Sequence, residues 1–229
     1  GREKDMSTAI RIMQGSFGRV ALLDMDKPLV THAHHHCHIL LKASGADSRF
    51  TVRGRMQSLS ATSAVLVNAW EPHAYTPLDG ALRGTVILAL YIDCTWLAGI
   101  HRQLAVAGHP HFFSRPCVPI TPAIRERADD LAAEMILQPD IAPVRLEQQL
   151  SELAIAVLDP FSEWRNAGSL VRAGLPRAPD ARIRRAMGYL REHISEGIGM
   201  DALASRACLS RAHFFALFRE CTSLSPGVY

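Results

Sequence analysis

The 229-residue sequence lacks any apolar run near the roughly 20 residues that a membrane-spanning helix needs. Val86 to Ile92 is far too short and reads as a buried strand. The N-terminus lacks the charged, apolar, small-residue order of a secretory signal. Cysteine is sparse: positions 37, 94, 117, 208 and 221 are odd in number, widely spaced and contain no CxxC. A disulfide framework is not indicated, so a reduced compartment, the cytoplasm, is expected, with each cysteine serving as a small buried hydrophobe. No internal repeat or low-complexity tract is present. A strong charge bias is also missing. The net charge of +3 permits an anionic partner without demanding one. What remains is 48% hydrophobic and 21% charged, a balance that suits one large or two ordinary soluble domains with a real core.

The first ~100 residues read as β. Short apolar runs at 17–23, 37–43, 48–52, 64–68 and 85–92 alternate with turn residues such as Ser44-Gly45-Ala46-Asp47, Arg53-Gly54-Arg55 and Leu78-Asp79-Gly80. This spacing suggests a barrel or a sandwich. Near Asp93 the period changes to that of a helix. Thr121 is a cap, Pro122 a first helical residue, and Ile124, Ala128, Leu131, Ala132 and Met135 share a face. In the next helix Leu146, Leu150, Leu153 and Val157 form a stripe that fits either a dimer seam or packing against the β domain. Residues 166–179 are rich in Gly, Pro and Ala, and form the candidate linker.

After the linker the sequence is helical. Asp180 is a plausible cap for a first helix with Ile183, Met187, Leu190 and Ile194 on its apolar face. A short second helix presents Leu203, Ala204 and Ala207 inward, and Cys208-Leu209 make a turn. Ser210 then caps a third helix with Phe214, Leu217 and Phe218 on its core face. Two short helices joined by a tight turn fit a helix-turn-helix, and equally an ordinary three-helix unit.

The leading Ile and Tyr-Leu, Leu203-Ala204, Ala207, Leu209-Ser210, Phe214, Leu217-Phe218 and the closing Ser225, Pro226 and Tyr229 stand at fixed spacing. On these residues the segment resembles the first half of the DNA-binding module of AraC/XylS transcription regulators. The family module continues into a second helix-turn-helix, which this sequence does not include. Ser223 departs from the family's glycine, and Phe215 and Ala216 take positions that are often polar or basic. The resemblance therefore implies base reading by Arg211, Ala212 and Arg219, with Ser210 near a phosphate, while Arg206 and Arg219 also fit phosphate contacts or plain solvated charges.

The same resemblance implies an upstream sensor, commonly a small cupin-like β-barrel. Residues 31–41, THAHHHCHILL, carry five of the 11 histidines. His32, His34, His38 and Gly45 fall where the first cupin metal motif places its ligands and glycine, with His38 in place of a glutamate. His73 matches the second motif, while Trp70 and Asn68 replace its usual glycine and proline. If 31–41 is a strand, His32, His34, His36 and His38 share one face and His35 the other. Converging neutral imidazoles suit Zn²⁺, Ni²⁺, Cu²⁺ or Fe²⁺. The alternatives are a pocket for an organic effector lined by His36, Trp70, Tyr75 and His73, or a structural, pH-titrating cluster.

The expected architecture is α+β. A cupin-like barrel with dimerisation helices (about 120–165) spans 6–165, a linker spans 166–179, and a partial all-α helix-turn-helix domain spans 180–229. The expected function is a cytoplasmic, homodimeric, DNA-binding regulator controlled by a metal or a small molecule. The competing expectation is a metal-dependent cupin enzyme such as a dioxygenase.

Overall fold

The computed structural model describes residues 8–78, 84–173, 181–193 and 199–222. The chain divides into two compact units, Gly1–Ala173 and Gly174–Tyr229. The first unit contains strands β1 (Thr8–Gly15), β2 (Gly18–Met25), β3 (Leu29–His32), β4 (Cys37–Gly45), β5 (Ser48–Val52), β6 (Arg55–Leu59), β7 (Ser63–Val67), β8 (His73–Pro77), β9 (Thr85–Ile92) and β10 (Cys117–Pro119). A large antiparallel sheet runs β1-β2-β9-β4-β7-β10, and a small one runs β3-β8-β5-β6. The expected closed barrel is instead an open two-sheet sandwich: among the described residues no hydrogen-bonded ladder joins the sheets.

Alternation along the central strands explains the two-layer core. On β4, Cys37, Ile39 and Leu41 face one apolar cluster and Leu40 faces the other. On β9, Leu88, Leu90 and Ile92 face the first, and Ile87, Ala89 and Tyr91 the second. The second cluster fills the space between the sheets with Phe50, Val52 and Tyr75 from the small sheet. Arg53 and Gly54 both have positive φ, 53° and 70°, as the tight β5–β6 hairpin turn requires.

The first cluster lies between the outer face of the large sheet and a helical layer. That layer contains α1 (Cys94–Ile100), a 3-10 segment (Arg102–Gly108), α2 (Pro122–Leu137) and α3 (Pro143–Phe161). Thr121 caps α2 by accepting from the Ile124 N–H, with Pro122 in the first turn, as its sequence predicts. The α3 stripe is spent inside the chain: Leu146, Leu150, Leu153 and Val157 are all buried in the first cluster. The dimer-seam expectation for these four residues is therefore corrected, because the sheet and α2 already cover the face a partner would need. The linker expectation changes too. Residues Ala167–Ala173 form a helix, α4, within the first unit, so the division falls inside the predicted range, after residue 173.

In the second unit, α5 (Ala181–Glu192), α6 (Met200–Arg206) and α7 (Arg211–Thr222) enclose a small core of Ile183, Ala186, Leu203, Ala204, Ala207, Phe214 and Phe218. Cys208 turns the chain between α6 and α7 with φ +55°, a conformation that side chains rarely adopt. Leu217 is half-buried rather than core. The expectations for Asp79-Gly80, Asp180, Ile194, Ser223, Ser225, Pro226 and Tyr229, and for the side chains of Met187 and Leu190, lie outside the described residues. Among those described, no helix is long and apolar enough to cross a membrane.

Candidate functional site

The histidine run is not one strand. It ends β3, crosses between the sheets over residues 33–36, and begins β4. This crossover still gathers most of the expected ligands. Pairing of β3 with β8 sets His32 directly opposite His73, with ring centroids 4.4 Å apart. His34, on the crossover, lies 4.8 Å from the His32 ring, 5.6 Å from His73 and 5.0 Å from His38. His38 comes from the large sheet, opposite Tyr91 in the β4–β9 register, with rings 4.6 Å apart. The ligand nitrogens of His32, His34 and His73 all lie within 4.8 Å of one another. Nitrogens around a tetrahedral ion at ~2.0–2.1 Å stand about 3.3 Å apart, so small rotations of these rings would close the set.

Hydrogen bonds fix which nitrogen each ring presents. His32 Nδ1 lies 2.7 Å from the Val30 carbonyl and His73 Nδ1 2.9 Å from the Glu71 carbonyl. A carbonyl only accepts, so in the neutral form of each ring Nδ1 carries the proton and the lone pair lies on Nε2. Burial, then the neighbouring His32 and His73 imidazoles, lowers the His34 pKa to about 3. Burial, then His32, lowers His73 to about 4 against the opposing pull of the Glu71 carbonyl. Burial also drives His38 well below its ordinary value, and its Nε2 has no hydrogen-bond partner. All three are neutral donors at pH 7. The enclosed space beneath them is about 20 Å³, with His32, His38, His73 and Tyr91 at its polar end and Leu40, Phe50 and Ile87 below. A space of that size suits an ion or a water, whereas organic effectors usually occupy cavities of roughly 300 Å³ or more.

The supports of the site were not visible beforehand. Trp70 has φ 62°, and its N–H donates to the His34 carbonyl at 2.6 Å, holding the crossover. Buried Asn68 donates to the Phe113 carbonyl (3.1 Å) and accepts from the Phe113 N–H (2.7 Å). The Glu71 carboxylate accepts from the Asn68 N–H at 2.9 Å and pairs with Arg53. Together these contacts fix the loop that delivers His73. Tyr91, also missed, carries the Arg19 guanidinium 4.0 Å over its ring. Three pocket expectations are corrected. Tyr75 is fully buried and donates its hydroxyl to the Met25 carbonyl at 2.9 Å, so it is core. Trp70 lies beside His35, at 6.0 Å, and not over the four-histidine group. His36 lies against His35, with ring centroids 3.8 Å apart and planes tilted by 37°, because the crossover bends where a strand would alternate.

Residues 28–154, more than half of the sequence and spanning all of these histidines, match the AraC-like ligand binding domain. The chain belongs to the AraC family. Its first unit is thus the sensor of a transcription regulator, and the family sets aside the enzyme expectation. No curated protein sequence matches the chain. Among solved structures it is similar to apo ToxT from Vibrio cholerae, at 12% identity and TM-score 0.49 over 95% of this chain and 97% of that one. It is also similar to the AraC-like transcriptional activator CuxR, at 13% identity and TM-score 0.35 over 88% and 70%. At these values neither likeness bears on function.

In this AraC-family chain the residues expected to read DNA lie together on the second unit. Ser210 caps α7, its Oγ accepting from the His213 N–H at 3.3 Å. Arg211 and Ala212 are exposed in the first turn of α7, and Arg219 is exposed near its end. Arg211 pairs with Asp201 at 3.3 Å across the α6–α7 corner, an exposed contact worth little on its own. Arg206 stacks over the Tyr189 ring at 3.6 Å and so helps seat α6 on α5. Phe215 is half-buried on α7.

Proposed function

We propose that this chain is a DNA-binding transcriptional regulator whose sensor unit binds a borderline divalent metal, zinc or nickel first, through His32, His34 and His73 with His38 beside them. The carrying observation is the pair of backbone carbonyls that accept from Nδ1–H of His32 and His73 and so turn two Nε2 lone pairs toward one point. Backbone and carboxylate partners of this kind orient metal-binding histidines generally. The donor set contains imidazole and no carboxylate, which favours these metals over Mg²⁺ or Ca²⁺.

A bound ion would supply a common centre for nitrogens from both sheets. His32 and His73 belong to the small sheet, His38 to the large one, and His34 to the connection between them. Drawing these rings together narrows the gap between the sheets. The other face of the large sheet carries the helical layer from which the chain continues past residue 173, so closure of the sandwich is the change the DNA-binding unit would report. In this reading α7 enters a major groove, with Arg211 at a base edge and Ser210 at a phosphate. A homodimer, acting in the cytoplasm, would match two half-sites about one helical turn apart.

The test is a titration of chelator-stripped protein with Zn²⁺ and Ni²⁺, followed by calorimetry and by anisotropy on DNA from upstream of its own gene. Micromolar or tighter uptake that shifts the DNA affinity is expected. Absence of uptake at micromolar metal would end the metal reading. Unaltered DNA affinity at saturating metal would end its role as effector.

A further inference from the structure

We propose that His35, His36 and Asp93 form a second divalent-metal site, sharing no residue with the first. The donor atoms of these three half-buried side chains all lie within 4.8 Å of one another. Neighbouring residues on a strand point to opposite faces, so His35 and His36 could not cooperate there. The bend in the crossover turns both rings to one side, with centroids 3.8 Å apart. One five-residue stretch thereby serves two sites: His34 and His38 go to the first group, and His35 and His36 to the second.

The third member is held independently. Asp93 follows β9 and caps α1, its Oδ1 accepting from the Thr95 N–H at 2.7 Å and the Trp96 N–H at 3.2 Å. Its own N–H donates to the Phe17 carbonyl at 2.8 Å. The cap uses Oδ1, so coordination through Oδ2 leaves the helix start intact. The β1–β2 turn closes in from another side. Gly18 has φ +107°, and a Cβ there would come within 3.3 Å of the His36 ring, 3.1 Å of the Asp93 nitrogen and 2.2 Å of the Tyr91 carbonyl. Only glycine lets that turn lie against the imidazole and fix its position.

Two imidazoles and one carboxylate suit Mn²⁺, Fe²⁺, Co²⁺, Ni²⁺ or Zn²⁺, with remaining positions open to water. The outer site's three ligands are all half-exposed, whereas His73 and His38 of the inner one are buried, so the outer site fills after the inner one. It ties the crossover to the first turn of α1, at the head of the helical layer. This inference does not rest on the inner site binding metal.

Chelator-stripped full-length chain is titrated with Co²⁺, followed by absorption, and with Zn²⁺, followed by calorimetry; circular dichroism checks the fold of each variant. The wild type is expected to take up two equivalents in distinct steps, the second with the weak absorption of a water-bearing, higher-coordinate ion. The double variant His35→Gln/His36→Gln should lose that second step and keep the first. Asp93→Asn, whose amide oxygen still caps α1, should weaken it about tenfold or more. The double variant His34→Gln/His73→Gln should keep it. Survival of the second step in His35→Gln/His36→Gln, or a wild type with no step beyond the one His34→Gln/His73→Gln removes, overturns the proposal. A wild type that shows the outer step without the inner one upholds this site and sinks the metal-sensor reading instead.

Discussion

The sensor unit contains two cavities of opposite character. The space beneath the histidines is about 20 Å³, and at its polar end His38 Nε2 has no hydrogen-bond partner. A second cavity, about 280 Å³, lies beside α3 and is walled by Ile100, Leu104, Ile155, Leu158 and Trp164. Its two polar side chains already have structural work. Asp159 pairs with Arg165 at 2.6 Å, and His101 Nδ1 accepts from the Gln103 N–H at 3.2 Å. Volume alone would send an effector to the larger cavity. The unsatisfied, buried Nε2 of His38 is the stronger signal, because it costs free energy until a partner arrives.

The most direct way to break this comparison is to remove the lone pairs. Replacing His34 and His73 together by Gln is expected to weaken Zn²⁺ binding at the inner site by about a hundredfold or more, since loss of orienting partners alone typically costs 10–100-fold. The inner site's share of the Tm gain on adding Zn²⁺ should vanish with it, leaving only the smaller gain from the outer site. Calorimetry and a thermal scan on wild type and variant check this. Equal Zn²⁺ stabilisation of both proteins would move the metal elsewhere.

A smaller effect is expected in the metal-free protein as pH falls. Folding lowers the pKa of His34 to about 3 and of His73 to about 4, from 6.5 in the unfolded chain. Between about pH 6.5 and 4 the unfolded chain takes up protons that the folded chain refuses, so stability declines as pH falls through that window and is level above it. The loss is on the order of a few kcal/mol. Denaturant midpoints at pH 7.5, 6, 5 and 4.5 follow it, and His73→Gln should flatten the slope. A slope unchanged by that substitution would assign the acid sensitivity to other groups.

The two cavities also differ in how far they could be read in advance. His32, His34, His38 and His73 follow from the cupin motifs that the family resemblance implies, and the five short apolar runs at 17–23, 37–43, 48–52, 64–68 and 85–92 correspond to β2, β4, β5, β7 and β9. Tyr91, Asn68 and Glu71 did not come that way, because each acts through a partner set by strand register or by a loop far away in sequence. The crossover was misread as a strand because alternating histidines look the same whether the backbone extends or bends. It is the bend at His35-His36 that decides which ring goes where. The α3 stripe was ambiguous for a different reason: a sheet face and a second helix accept the same spacing of Leu, and only the buried positions of Leu146, Leu150, Leu153 and Val157 distinguish them.

The smallest effect is predicted at the larger of these two cavities. Ile155 is 39% exposed on α3 and forms part of the wall of the 280 Å³ space. Ile155→Trp would fill much of that space with an indole that has room to enter, so stability should change by no more than about 1 kcal/mol. If the large cavity is only a packing gap between α1, the 3-10 segment and α3, Zn²⁺ affinity and the metal-dependent shift in DNA binding should both stay within about twofold of wild type, a difference of ~0.4 kcal/mol. If the cavity instead houses the effector, the indole displaces it. The DNA response then disappears while Zn²⁺ still binds at the histidines. Calorimetry and DNA anisotropy on this one variant therefore decide which of the two spaces the regulator uses.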